Sequence, residues 1–599
     1  MKKSIILGAV IASFVLSSCS LFKTYSSEAK EVDVYLLDYA TQGGKNIEEC
    51  KLGTISPQFI EGEGYVPYFS LEQYASLYKP YFEADVKSEV ENNGFASTWT
   101  IYRGEELYFY ATISSLTKSI MTAGSISNVL ASDSNPNDYS VLSKYTKFED
   151  SFERLGENNF ATYSFSGYEF KTFSKNNCRY YPLGLLDNAF SESSSIFHFY
   201  NYKNIYATWD VENYSKKFKT GGSFNNETSV DKEMENVTQG QTIPSYLLDY
   251  NLSCFLFVLD NFYGLKSYHK IDSMKNYLSQ YNFYSNLKSK DGEKRGTAYS
   301  SSLAVFDDHH TGLVSANNAW GEGSTKATGG INVMKRQYQD QELTKLRKET
   351  YPDRRQYTIS SDHKTALFYF DSFDLGTTDE VFNNDGTVKA TAGEHDSFYN
   401  VLEHLKMFKA DGRIENVIID VSTNGGGVIG VMAKILALIS KDNKAAVSMM
   451  SESVGAVNTS ICSVDVNMDG KYTADEVFGN DFNIYVMCSD CSFSCGNAFP
   501  CYAQKMGIKI IGERSGGGEC AVGIHYMPNS EYVYHSSMTH LGYFDKANKE
   551  FKGFENGATP DISLLPTGKA AFSEYIVDKI VYNIPSDLYD VNALSAKLA

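Results

Sequence analysis

Cys491-Ser492-Phe493-Ser494-Cys495-Gly496-Asn497 decides how the rest of the chain is read. An apolar run of β character, Phe482-Asn483-Ile484-Tyr485-Val486-Met487, leads into it, and a helix-compatible run from Ala498 to Met506 leads out. A strand, a sharp turn of small residues and a helix start together expose one side chain at the turn. The free N–H groups and partial positive charge of the helix N-terminus suit a developing oxyanion. Ser494 is therefore the candidate nucleophile, and the Cys495 N–H a candidate oxyanion donor. Taken alone, the stretch fits an ordinary N-cap serine better, so its reading depends on the surrounding chain.

Around it, strands alternate with helices. Ala366 to Phe370 reads as a buried strand and Asp396 to Lys409 as a helix. Val417 to Val421 reads as a strand ending in Asn424-Gly425-Gly426-Gly427, followed by an apolar helix from Ile429 to Ser440. Ile508 to Ile511 is a strand after the serine helix. This alternation means an α/β domain with parallel pairing. Upstream, Tyr246 to Tyr263 is apolar at helical spacing, and further helices are expected over Met274 to Leu287 and near Ala298 to Val305. The next roughly fifty residues, to Tyr357, are polar and too few for an inserted domain with its own core.

Three stretches bear on Ser494. Glycines after a strand let backbone N–H groups approach a substrate closely, and Gly426 is the candidate second oxyanion donor. Asp308-His309-His310-Thr311 offers an imidazole, which a serine hydroxyl needs as a base. His310 is the first choice and His309 the alternative. Glu555, in Phe554-Glu555-Asn556-Gly557, is a carboxylate available to orient that imidazole.

From about Tyr246 to Ile580 the order of these motifs resembles the catalytic domain of the tail-specific, or C-terminal processing, protease family. The residues that carry the resemblance are Asp308 to Thr311, Asp420 to Gly427, Ser494-Cys495-Gly496, Gly512-Glu513 with Ser515 to Gly518, and Gly557 to Asp561. The resemblance implies a crotonase/ClpP-like αβ-spiral peptidase domain over 241–585. It also implies a serine-type endopeptidase acting on polypeptides through Ser494, His310 and Glu555, without a catalytic cofactor. The glycine-rich loop Gly516-Gly517-Gly518-Glu519 lacks the lysine of the processing branch, so the resemblance is to the tricorn-core-like branch with a histidine base. Asn497 stands where the family usually has an acid, and the interval after the histidines is short for the family's PDZ insert. Retinoid-binding relatives imply the rival reading, a non-catalytic peptide- or ligand-binding protein on the same fold.

The start of the chain is a targeting segment. Lys2-Lys3 precedes an apolar run from Ile5 to Leu16, too short to span a bilayer comfortably. Leu16-Ser17-Ser18-Cys19 resembles a bacterial lipobox, which implies a signal peptide over 1–18, lipid on Cys19 and a tether over 19–30. The expected location is the cell envelope, on its periplasmic or extracellular face, with the lipid as the only membrane attachment. Lys and Arg number 54 against 73 Asp and Glu, a net charge of −19 that argues against nucleic acid as a partner.

Residues 31–240 are aromatic and β-rich, an expected α+β region. Tyr65-Val66-Pro67-Tyr68 with Leu71 echoes Tyr180-Tyr181-Pro182-Leu183 with Leu186, each an extended X-Pro entry into a short apolar helix, which raises two related halves. The polar stretch from Lys217 to Thr242 marks the expected boundary. Nine of the ten cysteines follow Cys19, five of them around Ser494, and their pairing is not legible. Finally, 465–476 fits a twelve-residue EF-hand loop. Asp465, Asn467, Asp469, the Lys471 carbonyl, Thr473 and Glu476 fall at the oxygen-ligand positions, and Gly470 at the turn. A structural Ca²⁺ beside the active site is the expectation.

Overall fold

Parallel strands covered on both faces need continuous apolar runs, and Val417, Ile418 and Ile419 supply one with no exposed surface. In the computed structural model they form the middle of a six-stranded sheet. Its order is Tyr357–Ile359, Thr365–Tyr369, Asn416–Asp420, Asn483–Cys488, Lys509–Gly512 and Ile562–Ser563, parallel throughout except for the first pair. The structure describes residues 25–36, 50–93, 95–130, 140–155, 160–209, 238, 241–316, 320, 325, 330–351, 356–452, 455–527, 532–565, 572–576, 579–582 and 584–598. The expected signal peptide over 1–18, the lipidation site Cys19 and most of the expected boundary lie outside these residues.

Helices Ser397–Asp411, Ile429–Ile439 and Cys495–Lys505 make the crossovers. Asp396 caps the first, accepting from the Phe398 and Tyr399 N–H groups. Ile429–Ile439 is buried from Val431 onward, Lys434 included, as a helix with apolar residues on every face must be. Beyond it lies an antiparallel sheet in the order Thr146–Arg154, Ala456–Val464, Ala445–Ser451, Tyr532–Asp545 and Gly312–Ala316, with Cys520–Tyr526 and Glu550–Gly553 also paired to Tyr532–Asp545.

The division expected near residue 240 does not separate two cores. Thr146–Arg154 pairs along its whole length with Ala456–Val464. One hydrophobic core runs from Val32 to Phe306 and takes in Cys520, Met527, Tyr532 and Tyr534. The reason is visible in helix Ser245–Phe262, whose buried face is too wide for one neighbour. Two further bounds shift. Part of the expected tether, Ser27–Ala29, is a strand paired with Gln58–Ile60. At the other end, helix Val591–Leu598 extends the C-terminal part past 585, with Val591 and Leu594 packed on Leu367 and Ile418.

The echoed X-Pro segments meet each other. Tyr181 pairs with Phe69 and Pro182 with Tyr68, antiparallel, and each segment enters a helix, Leu71–Ser76 or Leu183–Ser194. The aromatic residues around them fill the core: Trp99, Phe109, Tyr74 and Phe190 are wholly buried. Asp187 ties this region to the antiparallel sheet. Its carboxylate accepts from Tyr74 Oη at 3.0 Å and Tyr526 Oη at 2.6 Å, and pairs with His198 Nδ1 at 2.9 Å. Removing one member of a buried charged network costs about 3 kcal/mol. Asp187→Ala is expected to lower the stability of N- and C-terminal parts together, as one calorimetric transition at a reduced Tm.

Candidate active site

Ser494 sits where the strand Asn483–Cys488 gives way to the helix Cys495–Lys505, at φ 58° and ψ −125°. A β-carbon is rarely tolerated at such angles, which cost about 1–3 kcal/mol and persist only where neighbours enforce them. The neighbours are present. Ser489 Oγ donates to Ser422 O at 2.5 Å and Ser492 Oγ to Val421 O at 2.6 Å. The Phe493 N–H donates to Asn424 O at 3.0 Å and the Ser494 N–H to Gly517 O at 3.1 Å. Close packing leaves no room for larger residues. A β-carbon on Gly496 would fall 2.0 Å from Asn424 O, and one on Gly426 would fall 2.7 Å from Ser494 Cβ.

Of the two expected oxyanion donors, Cys495 carries an N–H with no acceptor among the described residues, whereas the Gly426 N–H is occupied. It donates to Asn424 Oδ1 at 2.9 Å, while Asn424 Nδ2 donates to Phe370 O at 3.1 Å, which fixes the amide. An asparagine at the strand end competes locally for backbone donors, and here it wins the one the sequence had assigned to substrate.

His310 is brought to the same place by antiparallel pairing. Gly312 aligns with His535, and Asp308 clamps the turn before it. Asp308 accepts from the His310 N–H at 3.0 Å, Thr311 Oγ1 at 2.6 Å and Ser537 Oγ at 2.7 Å. The His310 ring lies 4.7 Å, edge to face, from the ring of Phe493, the residue before Ser494. Its Nδ1 is buried without a hydrogen-bond partner among the described residues. Burial pushes the imidazole down to about 4, opposed by Asp308 and reinforced by His309, His535 and Arg336. His309 is more exposed and stands 5.2 Å from the same Phe493 ring.

Glu555 does not bond to His310. Its Oε2 accepts from the Gly518 and Glu519 N–H groups at 3.0 and 2.9 Å, so it braces the glycine-rich loop. Burial and the charges of Asp308 and Glu519 raise its carboxyl to about 7, against those two amide bonds. Asn497 has a tying function. Its Nδ2 donates to Phe554 O at 3.0 Å and its Oδ1 accepts from Ser515 Oγ at 2.7 Å, joining the serine helix to both loops.

Sequence reasoning missed Arg336. The polar stretch before Tyr357 contains a helix, Ile331–Thr350, whose Gln339, Leu343 and Arg347 are buried at successive intervals of four. Arg336 donates to Asp490 O and Gly516 O, both at 2.8 Å, and lies 4.5 Å over the Phe493 ring. The four-residue spacing was the available signal, obscured because two of its members are polar. Arg336, His309, His310, Thr423, Gly425 and Phe493 line a cavity of about 420 Å³.

The cysteines around the site are free thiols, buried as small weak donors. The Sγ of Cys488, Cys491 and Cys495 lie 3.2–3.3 Å from carbonyls of Glu513, Arg336 and Gly427. The acidic loop is elsewhere than expected. One ligand-type oxygen each from Asp465, Asp469 and Glu476 lies within 4.8 Å of the others. Asn467 Oδ1 accepts from the Asp469 N–H at 3.0 Å, and Thr473 Oγ1 donates to Glu476 Oε1 at 3.0 Å. The segment returns along the C-terminal end of helix Ile429–Ile439, where the Phe478 N–H donates to Leu438 O. Gly426 precedes the other end of that helix. At 1.5 Å per residue the loop is roughly 16 Å along the axis from the serine turn, because it joins the strands at their opposite ends.

Residues 382–564 match peptidase family S41. Ser494 and Glu555 fall inside the match, and His310 before it. Among curated protein sequences, none matches the chain. Similar solved structures include a protein from Parabacteroides merdae, at 17% identity and TM-score 0.36 over 54% of this chain and 91% of that one. A lipoprotein from Streptococcus agalactiae shares 12% identity at TM-score 0.32, over 54% and 92% of the two chains. Mature CPAF bound to lactacystin shares 11% at TM-score 0.33, over 53% and 94%.

Relief of the backbone strain at Ser494 is measurable. Ser494→Gly, which tolerates these angles, is expected to raise stability by about 1 kcal/mol in urea titration. The same change in an unstrained serine lowers it.

Proposed function

We propose that the chain is a serine-type endopeptidase of polypeptides, with Ser494 as nucleophile and His310 as general base. The single observation that carries this reading is the strained Ser494 turn, inside the segment matching peptidase family S41, with the His310 ring packed on the adjacent Phe493. Ser494 Oγ attacks the peptide carbonyl. His310, neutral because it is buried, takes the hydroxyl proton and returns it to the leaving amine. The Cys495 N–H receives the oxyanion. His310 and Ser494 are not hydrogen-bonded here, and catalytic contacts of this kind commonly close only around substrate. Glu555 is the carboxylate that meets His310 Nδ1 on closure, exchanging its amide bonds for the imidazolium.

Ser494→Ala is expected to lower kcat on an unstructured, fluorescently labelled polypeptide by on the order of 10⁶. It is also expected to abolish labelling by a fluorophosphonate. Folded protein that shows neither labelling nor turnover would favour the binding-protein reading, for which the His310 Nδ1, without a partner among the described residues, speaks. The pH profile separates the roles further. His310, held at about 4, is already a free base from pH 5 to 8, whereas Glu555, at about 7, ionises within that range. kcat/KM is therefore expected to fall about tenfold per unit below pH 7, and a profile breaking only near pH 4 would remove Glu555 from the mechanism.

We also propose that the chain is exported and lipid-anchored through Cys19, and that the 465–476 loop binds a structural Ca²⁺ through Asp465, Asn467, Asp469, the Lys471 carbonyl, Thr473 and Glu476. Ca²⁺ at a hundred times its Kd stabilises a folded protein by about 2.7 kcal/mol. A rise in Tm on adding Ca²⁺, lost in Glu476→Gln with kcat nearly unchanged, is the expected calorimetric result.

A further inference from the structure

Behind Glu555 lies a chain of buried ionisable groups that the proposed reaction does not use. Glu519 and Glu555 bond reciprocally. The Glu555 N–H donates to Glu519 Oε2 at 2.7 Å, and the Glu519 N–H to Glu555 Oε2 at 2.9 Å. The other Glu519 oxygen, Oε1, lies 2.5 Å from His540 Nδ1. On the far side of the ring, His540 Nε2 lies 3.4 Å from Glu452 Oε1. Glu452 is 39% exposed and lines a cleft of about 980 Å³ between the N-terminal sheets and the antiparallel sheet. His540 and Glu519 are each 6% exposed.

Cys520 Sγ is 3.7 Å from His540 Nδ1, so the cluster superficially offers three metal ligands. The separation of Glu519 and His540 decides against that. Two ligands about 2.1 Å from one tetrahedral ion stand roughly 3.4 Å apart, and 2.5 Å is a hydrogen bond between charged partners.

We propose that His540 is a positioning residue for the Ser494 site: its positive charge holds Glu519, and through Glu519 the ionised Glu555, beside the glycine-rich loop. Like charges this close are not both ionised without a cation. Among the described residues, the ionisable groups recorded facing Glu555 are Glu519, Asp308, Tyr263, Tyr268 and Cys520, none of them a cation. Those facing His540 are Glu519, Glu452, Cys520 and the Gly264 backbone. His540 is accordingly the cation of the cluster. The pair with Glu519 also raises the imidazole, against the cost of burial. The inference deepens the peptidase reading and rests on it for its catalytic consequence.

Two substitutions carry opposite signs. His540→Gln removes the cation and is expected to raise the midpoint of Glu555 ionisation by about one pH unit. Glu519→Gln removes the neighbouring anion and is expected to lower it. The midpoint is read from the infrared carbonyl band of the protonated carboxyl in Ser494→Ala protein, assigned by its loss in Glu555→Gln, so no turnover is needed. In protein with active Ser494, the acidic limb of kcat/KM is expected to move with the band. Equal or absent shifts in folded variants would overturn the proposal. If His540→Gln does not fold, Glu519→Gln decides alone, an unchanged or raised midpoint counting against it. A band that moves while the kcat/KM limb stays would overturn the link to catalysis. Lack of turnover in the unsubstituted protein would sink the peptidase reading and leave the charge coupling standing.

Discussion

Two strand-end loops touch, and the rest of the site follows from that contact. The loop after Asn416–Asp420 and the turn after Asn483–Cys488 are bonded from Asn424 O to the Phe493 N–H. Gly496 and Gly426 permit an approach that no other residue allows. Parallel neighbours end on the same side of a sheet, which is why α/β folds gather their chemistry there. The energy that keeps Ser494 at φ 58° comes from these interlocked loops and from the serine hydroxyls that pin their bases.

Charge around the serine is arranged against its own preference. Asp308, Glu519 and Glu555 are drawn into a partly dry space. Asp308 satisfies its oxygens with an amide and two hydroxyls, Glu555 with two amides and Glu519 with an amide and His540. Hydrogen bonds to an ionised carboxylate oppose desolvation, yet at Glu555 burial outweighs them and raises the carboxyl to about 7. What the pattern leaves open is the imidazole of His310, with a buried nitrogen that has no partner among the described residues. An unsatisfied buried group of this kind costs about 1–3 kcal/mol. That energy is returned when a partner arrives.

Much of this was legible in the sequence where local pattern and tertiary demand agree. The apolar runs of the parallel sheet, the helix that begins at Asp396 and the strand-turn-helix at Ser494 are local features, and the chain forms them where they are read. The partition of hydrogen bonds was not legible. Nothing in Asn424-Gly425-Gly426 says that the asparagine amide takes the Gly426 donor, or that Glu555 spends its oxygen on Gly518 and Glu519. Those outcomes depend on distances between loops far apart in sequence. Helix Ile331–Thr350 escaped notice because its inward face is built partly from Gln339 and Arg347, residues that pattern reading assigns to water. The division near residue 240 failed for a related reason: composition changes there, but burial does not.

The pairing of Thr146–Arg154 with Ala456–Val464 has a consequence for ancestry. An N-terminal segment that completes the border of another half's sheet is not a detachable cassette. Swapping it for an unrelated segment would bare a row of main-chain donors and acceptors and invite aggregation. Duplication, fusion or loss in such a lineage must carry both halves as one inheritance.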